Sequence, residues 1–410
     1  MIVKVAISIM LRGGGLFGKF LLIIFIANYF SLEDVGIYGL VTAAVVFGTY
    51  LLGFDFYTYS IREMAASNGA DLSWQLKSHL FWLICCYSIF LPLISAVFFL
   101  DLLPGKVAFW FYAILIFEHV ATELSRLLIV HEKQMIAAIS VFARNGLWAF
   151  LCVAYMYFYA ERRTLEVVFL SWVLGLVFAL ILSLTYLNQG GCLKISGAIN
   201  YRWIFSGLKV SFPLLLATLS VKAIFTIDRY LLGYVSDTSI VGVYVFYMSV
   251  AAVVIALIEQ GVFNFFYPRL IRCWRLGNIE DYKKQSRAME RLFLICVVPL
   301  LVATVAMVDF SIGFVGRPEY LNNVYVLYGA LAASFFFTWS MVYYYELYSR
   351  GLDRYIVVIR FSGFLVFVAL FGMLGGLPPL HRALYSICAA SVWLLLAGFI
   401  ASRMRREHGF

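Results

Sequence analysis

The stretches VVPLLVATVAMV at residues 297–308 and VWLLLAGFIA at residues 392–401 decide the fold class of this chain. Each is a continuous apolar run, without the alternation of apolar and polar residues that is typical of a membrane-spanning β-strand. Such runs recur throughout the 410 residues, of which 64% are hydrophobic and only 13% charged. A soluble domain carries about 25% charged residues and could not bury this much apolar surface. We therefore predict an all-α integral membrane protein.

Twelve apolar segments are long enough to cross the hydrocarbon core, which takes about 20 helical residues. Their ranges are 5–27, 35–58, 77–100, 106–130, 137–159, 165–187, 207–233, 240–265, 291–312, 322–347, 355–375 and 381–402. The connections between them are short, and turn signals such as Pro104-Gly105 and Pro378-Pro379 mark several of them. No segment is long enough for a catalytic domain outside the membrane.

Basic residues predict the orientation of the chain, because Lys and Arg concentrate in short cytoplasmic loops. Of the 31 Lys and Arg residues, twenty flank the spans on the side of the N-terminus and six lie within spans. The opposite side holds five, namely Lys106, Arg162, Arg163, Arg317 and Arg382. We predict a multi-pass protein with both termini in the cytoplasm. The densest basic run, 269–291, is expected to contact anionic lipid rather than nucleic acid.

A short repeat divides the chain into two halves. Val35-Gly36-Ile37-Tyr38 opens the second span, and Val241-Gly242-Val243-Tyr244 opens the eighth, about 206 residues later. Six spans return the chain to the same side of the membrane, so the repeats are parallel and related by an axis along the membrane normal. We predict two six-helix bundles, 1–195 and 196–410.

Six basic residues lie inside predicted spans, where each costs roughly 2.5–3.5 kcal/mol at a helix centre on insertion scales. Arg12 and Lys19 are seven residues apart on the first span, and Lys222 and Arg229 have the same spacing on the seventh. Seven residues are about two helical turns, so each pair lines one face. The remaining two are Arg144 and Arg360. Either these cations line a polar path at the interface of the halves, or they pair with nearby carboxylates.

Carboxyl groups at membrane depth are candidates for binding a coupling ion. They are Asp55, Glu118, Asp228, Glu259 and Glu346. Glu118 and Glu259 have no basic residue one turn away on the same helix, so each either cycles a proton or pairs with a cation of another helix. Asp228 adjoins Arg229 but points about 100° away around the helix. Asp55 and Glu346 are near the inner ends of their spans, where the alternative is that they reach the interface.

Other residues at this depth are expected to be structural. Glu123 precedes Arg126 by three residues, so the two should pair on one helix. His119 is expected to be a hydrogen-bonded interior residue, with titration as the alternative. The glycines Gly13-Gly14-Gly15 within the first span suit close helix packing or a bend.

Motifs of catalysis are missing from the sequence. It contains no Gly-x-Ser-x-Gly, no His-Glu-x-x-His and no Walker A lysine loop. The seven cysteines have neither metal-ligand spacing nor the pattern of a disulfide framework. We expect a transporter and not an enzyme, without a bound cofactor or metal.

The beginning of the chain resembles a known family. After a glycine-containing polar first span come Leu32-Glu33-Asp34-Val35-Gly36-Ile37-Tyr38-Gly39 and then Gly53-Phe54-Asp55 before Arg62. These residues, with twelve spans in two halves, resemble Wzx-type flippases of lipid-linked O-antigen units. Those flippases belong to the multidrug/oligosaccharidyl-lipid/polysaccharide exporter superfamily. The resemblance implies a MATE-like fold with a central cationic cavity and alternating access.

The resemblance also implies a substrate and a site. The substrate would be an undecaprenyl-diphosphate-linked oligosaccharide, exported across the bacterial inner membrane and coupled to an H⁺ or Na⁺ gradient. The family's cationic cavity residues correspond by position to Arg12, Lys19, Lys222 and Arg229, with Arg144 and Arg360 as further candidates. A polymerase and a chain-length regulator are the implied partners in polysaccharide (lipopolysaccharide) assembly. The alternatives are a multidrug cation antiporter of the same fold and a polysaccharide polymerase or ligase.

Overall fold

A computed structural model describes residues 2–66, 70–193, 195–307 and 316–407 of the chain. These residues form helices and connections, and no strand occurs among them. The predicted span 291–312 continues beyond Met307, so its residues 308–312 lie outside the described ranges. The all-α prediction is confirmed for the described part of the chain.

Within the described residues, the first part of the chain contains nine α-helices. They are α1 (Ile2–Tyr29), α2 (Leu32–Gly53), α3 (Tyr57–Ala66), α4 (Ala70–Ile94), α5 (Ala96–Phe99), α6 (Ala108–Val130), α7 (Gln134–Phe142), α8 (Trp148–Phe158) and α9 (Leu165–Gln189). A single π-helical turn, Ala143–Leu147, joins α7 to α8. These two helices therefore form one continuous rod, Gln134–Phe158.

The second part begins with a long helix. The elements are α10 (Tyr201–Val235), α11 (Thr238–Ile258), α12 (Asn264–Arg275), α13 (Ile279–Ala306), α14 (Pro318–Leu321), α15 (Tyr325–Ser349), α16 (Asp353–Met373) and α17 (Pro379–Glu407). A second π-helical turn, Glu259–Phe263, joins α11 to α12.

Eleven helices in the described ranges are long and apolar enough to cross a membrane. They coincide with eleven of the twelve predicted spans. The twelfth, 106–130, coincides with α6, which has 23 residues and is therefore long enough to cross. Its apolar stretch is interrupted by three charged residues, Glu118, Glu123 and Arg126.

The chain forms two compact units. The first comprises Met1–Phe30 and Ile37–Leu215, and the second comprises Ser31–Gly36 and Leu216–Phe410. The division falls inside α10, two residues after Pro213, which lies within that helix. The repeat-based halves 1–195 and 196–410 stay a prediction, since compactness does not report which helices are equivalent.

The repeated Val-Gly elements meet inside the second unit. Ser31 caps α2 by accepting a hydrogen bond from the Asp34 amide (3.1 Å), and Asp237 caps α11 in the same way from Ile240 (2.9 Å). A Cβ atom on Gly36 would overlap Thr238, and one on Gly242 would overlap the Leu32 carbonyl oxygen. The two helix starts thus cross backbone to backbone, and only glycine permits this approach.

Candidate functional site

In the first unit, α1 packs closely against the π-helical turn Ala143–Leu147. A Cβ atom on Gly146 would overlap the backbone of Gly15. One on Gly18 would lie 2.8 Å from the Gly146 carbonyl oxygen. The expectation of close packing at the glycines of the first span is thus confirmed at Gly15. Contact at this distance lets short side-chain hydrogen bonds form between the two segments.

The π-helical turn holds two neighbouring polar side chains, each bonded to a different helix. Arg144 donates to Glu118 Oε1 and to Thr122 Oγ1 of α6, both at 2.5 Å. Asn145 accepts a hydrogen bond from Lys19 Nζ of α1 at 3.0 Å. An extra residue in a helical turn re-aims the side chains around it, and such turns are frequent at functional sites. We call these five residues the Lys19–Arg144 cluster.

The Lys19–Arg144 cluster carries more positive than negative charge. It contains two basic side chains and one carboxylate, and Lys19 is bonded to a neutral amide oxygen. The side chains of Arg144 and Glu118 are only 12% and 14% exposed. Two stacked indoles, Trp148 and Trp172, adjoin it: the Trp148 ring nitrogen donates to the Arg144 carbonyl at 2.9 Å. Lys19 Nζ lies 5.9 Å from the Trp172 ring centre. An excess of positive charge in a poorly hydrated setting attracts anions.

The other member of the first predicted stripe has a different environment. Arg12 is exposed, whereas Lys19, two turns further along α1, is half-buried against Asn145. The Arg144 to Glu118 contact realises the alternative in which an intramembrane cation pairs with a carboxylate. Arg144 from the predicted cations and Glu118 from the predicted carboxyl groups are therefore bonded to each other in this cluster.

In the second unit the predicted cations are distributed over two helices. Lys222 and Arg229 on α10 are both half-buried. Asp228 is completely buried and accepts a hydrogen bond from the Tyr244 hydroxyl at 2.7 Å, so it holds α11 against α10. On α16, the Arg360 guanidinium lies 3.9 Å from the Tyr344 ring centre, a cation–π contact.

The remaining candidate acids have contrasting surroundings. Glu346 is 2% exposed. Its carboxylate accepts a hydrogen bond from Ser286 and another, at 3.3 Å, from Arg350. Asp55 is 3% exposed in the turn after α2, where its φ is +47°. Both side chains are therefore enclosed by protein, and the alternative that they reach the membrane interface stays a prediction. Glu259 opens the second π-helical turn and is exposed.

The expected pair of Glu123 and Arg126 forms on α6. It belongs to a larger network, because His79 of α4 and His119 also approach the Glu123 carboxylate, at 3.4 and 3.8 Å. Sequence reasoning missed His79, Thr122 and Asn145 as members of polar sites. Only Asn145 carried a signal, as an amide between a buried arginine and a glycine inside an apolar span.

Comparison with solved structures places the fold. The chain matches the lipid II flippase MurJ in an inward closed conformation with a TM-score of 0.72 and 11% identity, covering 100% of this chain and 93% of that one. It matches a MATE protein in complex with MaL6 with a TM-score of 0.67 and 12% identity, covering 99% and 96%. An outward-facing multidrug resistance MATE family transporter of the MOP superfamily gives a TM-score of 0.61 and 13% identity, covering 99% and 95%. The predicted MATE-like fold is confirmed.

Comparison with sequences identifies the family. A search of curated proteins gave no match. The family model described as polysaccharide biosynthesis protein matches residues 3–273, which is more than half of the chain and includes every element of the Lys19–Arg144 cluster. The chain therefore belongs to the polysaccharide biosynthesis protein family.

Proposed function

We propose that this protein is a flippase that moves an undecaprenyl-diphosphate-linked oligosaccharide, such as an O-antigen repeat unit, from the cytoplasmic to the outer leaflet of the bacterial inner membrane. The observation that carries the proposal is the positive excess of the Lys19–Arg144 cluster within membrane-spanning helices. Family membership and the shared fold with a lipid II flippase support it.

The chemistry of such a substrate explains why a cationic site is needed. A polyprenyl tail can remain in lipid, but its diphosphate and sugars cannot cross bare hydrocarbon, because burying an unpaired charge is prohibitively costly. Arg144 offers a planar fork that matches phosphate oxygens, and Lys19 offers a compact point charge. Glu118 neutralises Arg144 while the site is empty, which limits the cost of burying a guanidinium.

The other cations and the aromatic residues have proposed roles along the same route. Lys222, Arg229 and Arg360 would contact the diphosphate or acidic sugars in the second unit, and Arg12 would do so from the exposed part of α1. Rings such as Tyr344 offer faces on which sugars stack. A polymerase and a chain-length regulator would use the exported units.

The driving force does not require ATP. An inside-negative potential favours outward movement of negative charge by about 2.3 kcal/mol per charge per 100 mV. An H⁺ or Na⁺ gradient would add to it through one of the carboxyl groups, for which Glu118, Glu259, Asp55, Asp228 and Glu346 are the candidates.

A flipping assay in proteoliposomes tests the proposal. The probe is undecaprenyl-diphosphate oligosaccharide with a fluorescent label on the sugar, and flipping is read as label that becomes accessible to a membrane-impermeant reductant. We expect Lys19→Gln to slow flipping by about tenfold or more, the value of one charge-assisted hydrogen bond. Lys19→Arg should retain most of the rate because it keeps the charge.

The matched control is Arg162→Gln, which removes an exposed arginine from the connection before α9 in the same unit. It should flip like the wild type. A wild-type rate equal to that of empty liposomes would contradict the proposal, as would equal rates for Lys19→Gln and Arg162→Gln. Transport of cationic dyes in place of the lipid would favour the multidrug antiporter.

A further inference from the structure

A second polar network lies in the first unit, separate from the Lys19–Arg144 cluster. Its centre is the Glu123 carboxylate, whose two oxygens have different partners. Arg126 donates to Oε1, whereas His79 Nε2 lies 3.4 Å from Oε2. His119 Nε2 is 3.8 Å from Oε1, and its Nδ1 shares a 2.8 Å hydrogen bond with the Tyr87 hydroxyl. We call these five residues the His79–Glu123 network.

The network is formed by residues of the two helices α4 and α6. Glu123 and His119 precede the end of α6 at Val130 by seven and eleven residues, which is roughly 10–17 Å along the helix axis. His79 is 6% exposed and His119 2%. Both have a ring nitrogen that is buried and makes no hydrogen bond among the described residues, Nδ1 of His79 and Nε2 of His119.

A cavity adjoins the network. Its volume is ≈ 460 Å³, and its lining includes His79, His119, Glu123 and Arg126 together with apolar side chains of α4 and α6. The cavity places open space beside the network, while the unbonded ring nitrogens of His79 and His119 are themselves buried.

Few other ionisable groups face the network from the surrounding elements. From α3, the Tyr57 ring lies 3.5 Å from the Arg126 guanidinium, while Arg62 and Glu63 are exposed. On α4, Lys77 is bonded to the Gly197 carbonyl oxygen at 2.8 Å. Asp55 is the other buried carboxyl group nearby, on the turn whose Phe56 ring packs edge-on against His79.

The charges of the network sum to zero while both imidazoles are neutral. Arg126 balances Glu123, and the Glu123 oxygen that faces His79 is not the one that Arg126 binds. A proton added to His79 Nδ1 makes the imidazole cationic and strengthens its contact with that oxygen. The uptake of one proton therefore raises the charge of the network by one unit without breaking the Glu123–Arg126 pair.

We propose that the His79–Glu123 network is a proton-binding site, with His79 Nδ1 as the acceptor, and that its occupancy couples transport to a pH gradient. The coupling part rests on the proposed function, whereas proton binding does not. Glu123 stabilises the protonated imidazole, Arg126 fixes the carboxylate, and Tyr87 fixes the ring of His119. The five carboxyl groups that the sequence singled out are not members of this network.

Proton binding is measured directly by NMR of ring-labelled histidine. The chain has five histidines, so single substitutions of each assign every imidazole signal. Spectra are recorded between about pH 5 and 8, and we expect the His79 signal to move from its neutral towards its protonated position as the pH falls. In Glu123→Gln this change should move to lower pH by about one unit or more, because the carboxylate is lost.

The matched control is His131 at the end of α6, whose titration Glu123→Gln should leave unchanged. If His79→Gln does not fold, substitution of the other four histidines assigns the His79 signal by elimination. An imidazole at position 79 that keeps one protonation state over this pH range would overturn the proposal. So would a His79 transition that is insensitive to Glu123→Gln.

Coupling is measured in the flipping assay with an imposed pH gradient. The wild-type rate should change severalfold with the gradient, whereas His79→Gln should flip at one rate with or without it. A gradient response that persists in His79→Gln would overturn the coupling. If wild-type protein does not flip the lipid at all, the proposed function fails while the NMR result still decides whether the proton site exists.

Discussion

Lys19 and Arg144 have the same charge but different partners, and this difference defines the site. Arg144 is bonded to Glu118, so the pair is close to neutral. Lys19 is bonded to the Asn145 amide oxygen, which leaves its charge uncompensated within the cluster. In the proposed function, Lys19 would attract an anionic group and Arg144 would shape the phosphate site.

The Arg144–Glu118 pair makes a prediction about stability. Arg144→Gln leaves a buried carboxylate without its cation, and breaking such a pair costs about 3–5 kcal/mol. The double variant Arg144→Gln with Glu118→Gln should recover most of this loss, because two neutral amides can bond to each other. Denaturant titration of the purified protein in detergent measures the stability of the wild type and of the two variants. Equal stability of the single and double variants would contradict the pairing.

Residue contacts were predictable from the sequence only where they are local. The Glu123–Arg126 pair follows from a spacing of three residues on one helix. The Arg144–Glu118 pair joins residues 26 apart on different helices, so sequence left Glu118 between pairing and proton cycling. His79 reaches Glu123 across 44 positions of sequence, and nothing in its local composition indicated this contact.

At the scale of the elements, apolar length predicted the membrane-spanning helices. The two carboxylates of α6 and its Arg126 are held in the two networks. The π-helical turns were not predictable, since one extra residue in a turn leaves the apolar pattern of a fully buried span unchanged. Within the π-helical turn Ala143–Leu147, Gly146 is the only residue whose type indicates an irregularity in the helix.

The close approach of α1 to the π-helical turn makes a prediction about single methyl groups. Gly146→Ala would place a Cβ atom onto Gly15 and should cost about 1–3 kcal/mol through overpacking. Gly13→Ala is the control, because no atom lies within 4 Å of its added Cβ, and alanine favours a helix by about 1 kcal/mol. Thermal unfolding should rank Gly13→Ala at or above the wild type and Gly146→Ala below it. The reverse order would contradict the packing.

At the scale of the whole molecule, the repeat around Gly36 and Gly242 is the feature that sequence and structure share. Sequence predicted that the two Val-Gly elements open equivalent spans, and each glycine contacts the other repeat inside the second unit. The division of the units within α10 was not predictable, because a 35-residue helix runs through it without a change in composition. The cytoplasmic location of both termini stays a prediction from the distribution of basic residues.

At this scale we propose that this member of the polysaccharide biosynthesis protein family moves a lipid-linked oligosaccharide across the membrane. The most direct measurement is deletion of its gene in the native host, followed by quantification of surface polysaccharide and of undecaprenyl-linked repeat units on each leaflet. We expect loss of the surface polymer and accumulation of repeat units on the cytoplasmic leaflet. Wild-type protein and Lys19→Arg should reverse both effects, and Lys19→Gln should not. Intact surface polymer, or repeat units that reach the outer leaflet without the protein, would contradict the claim.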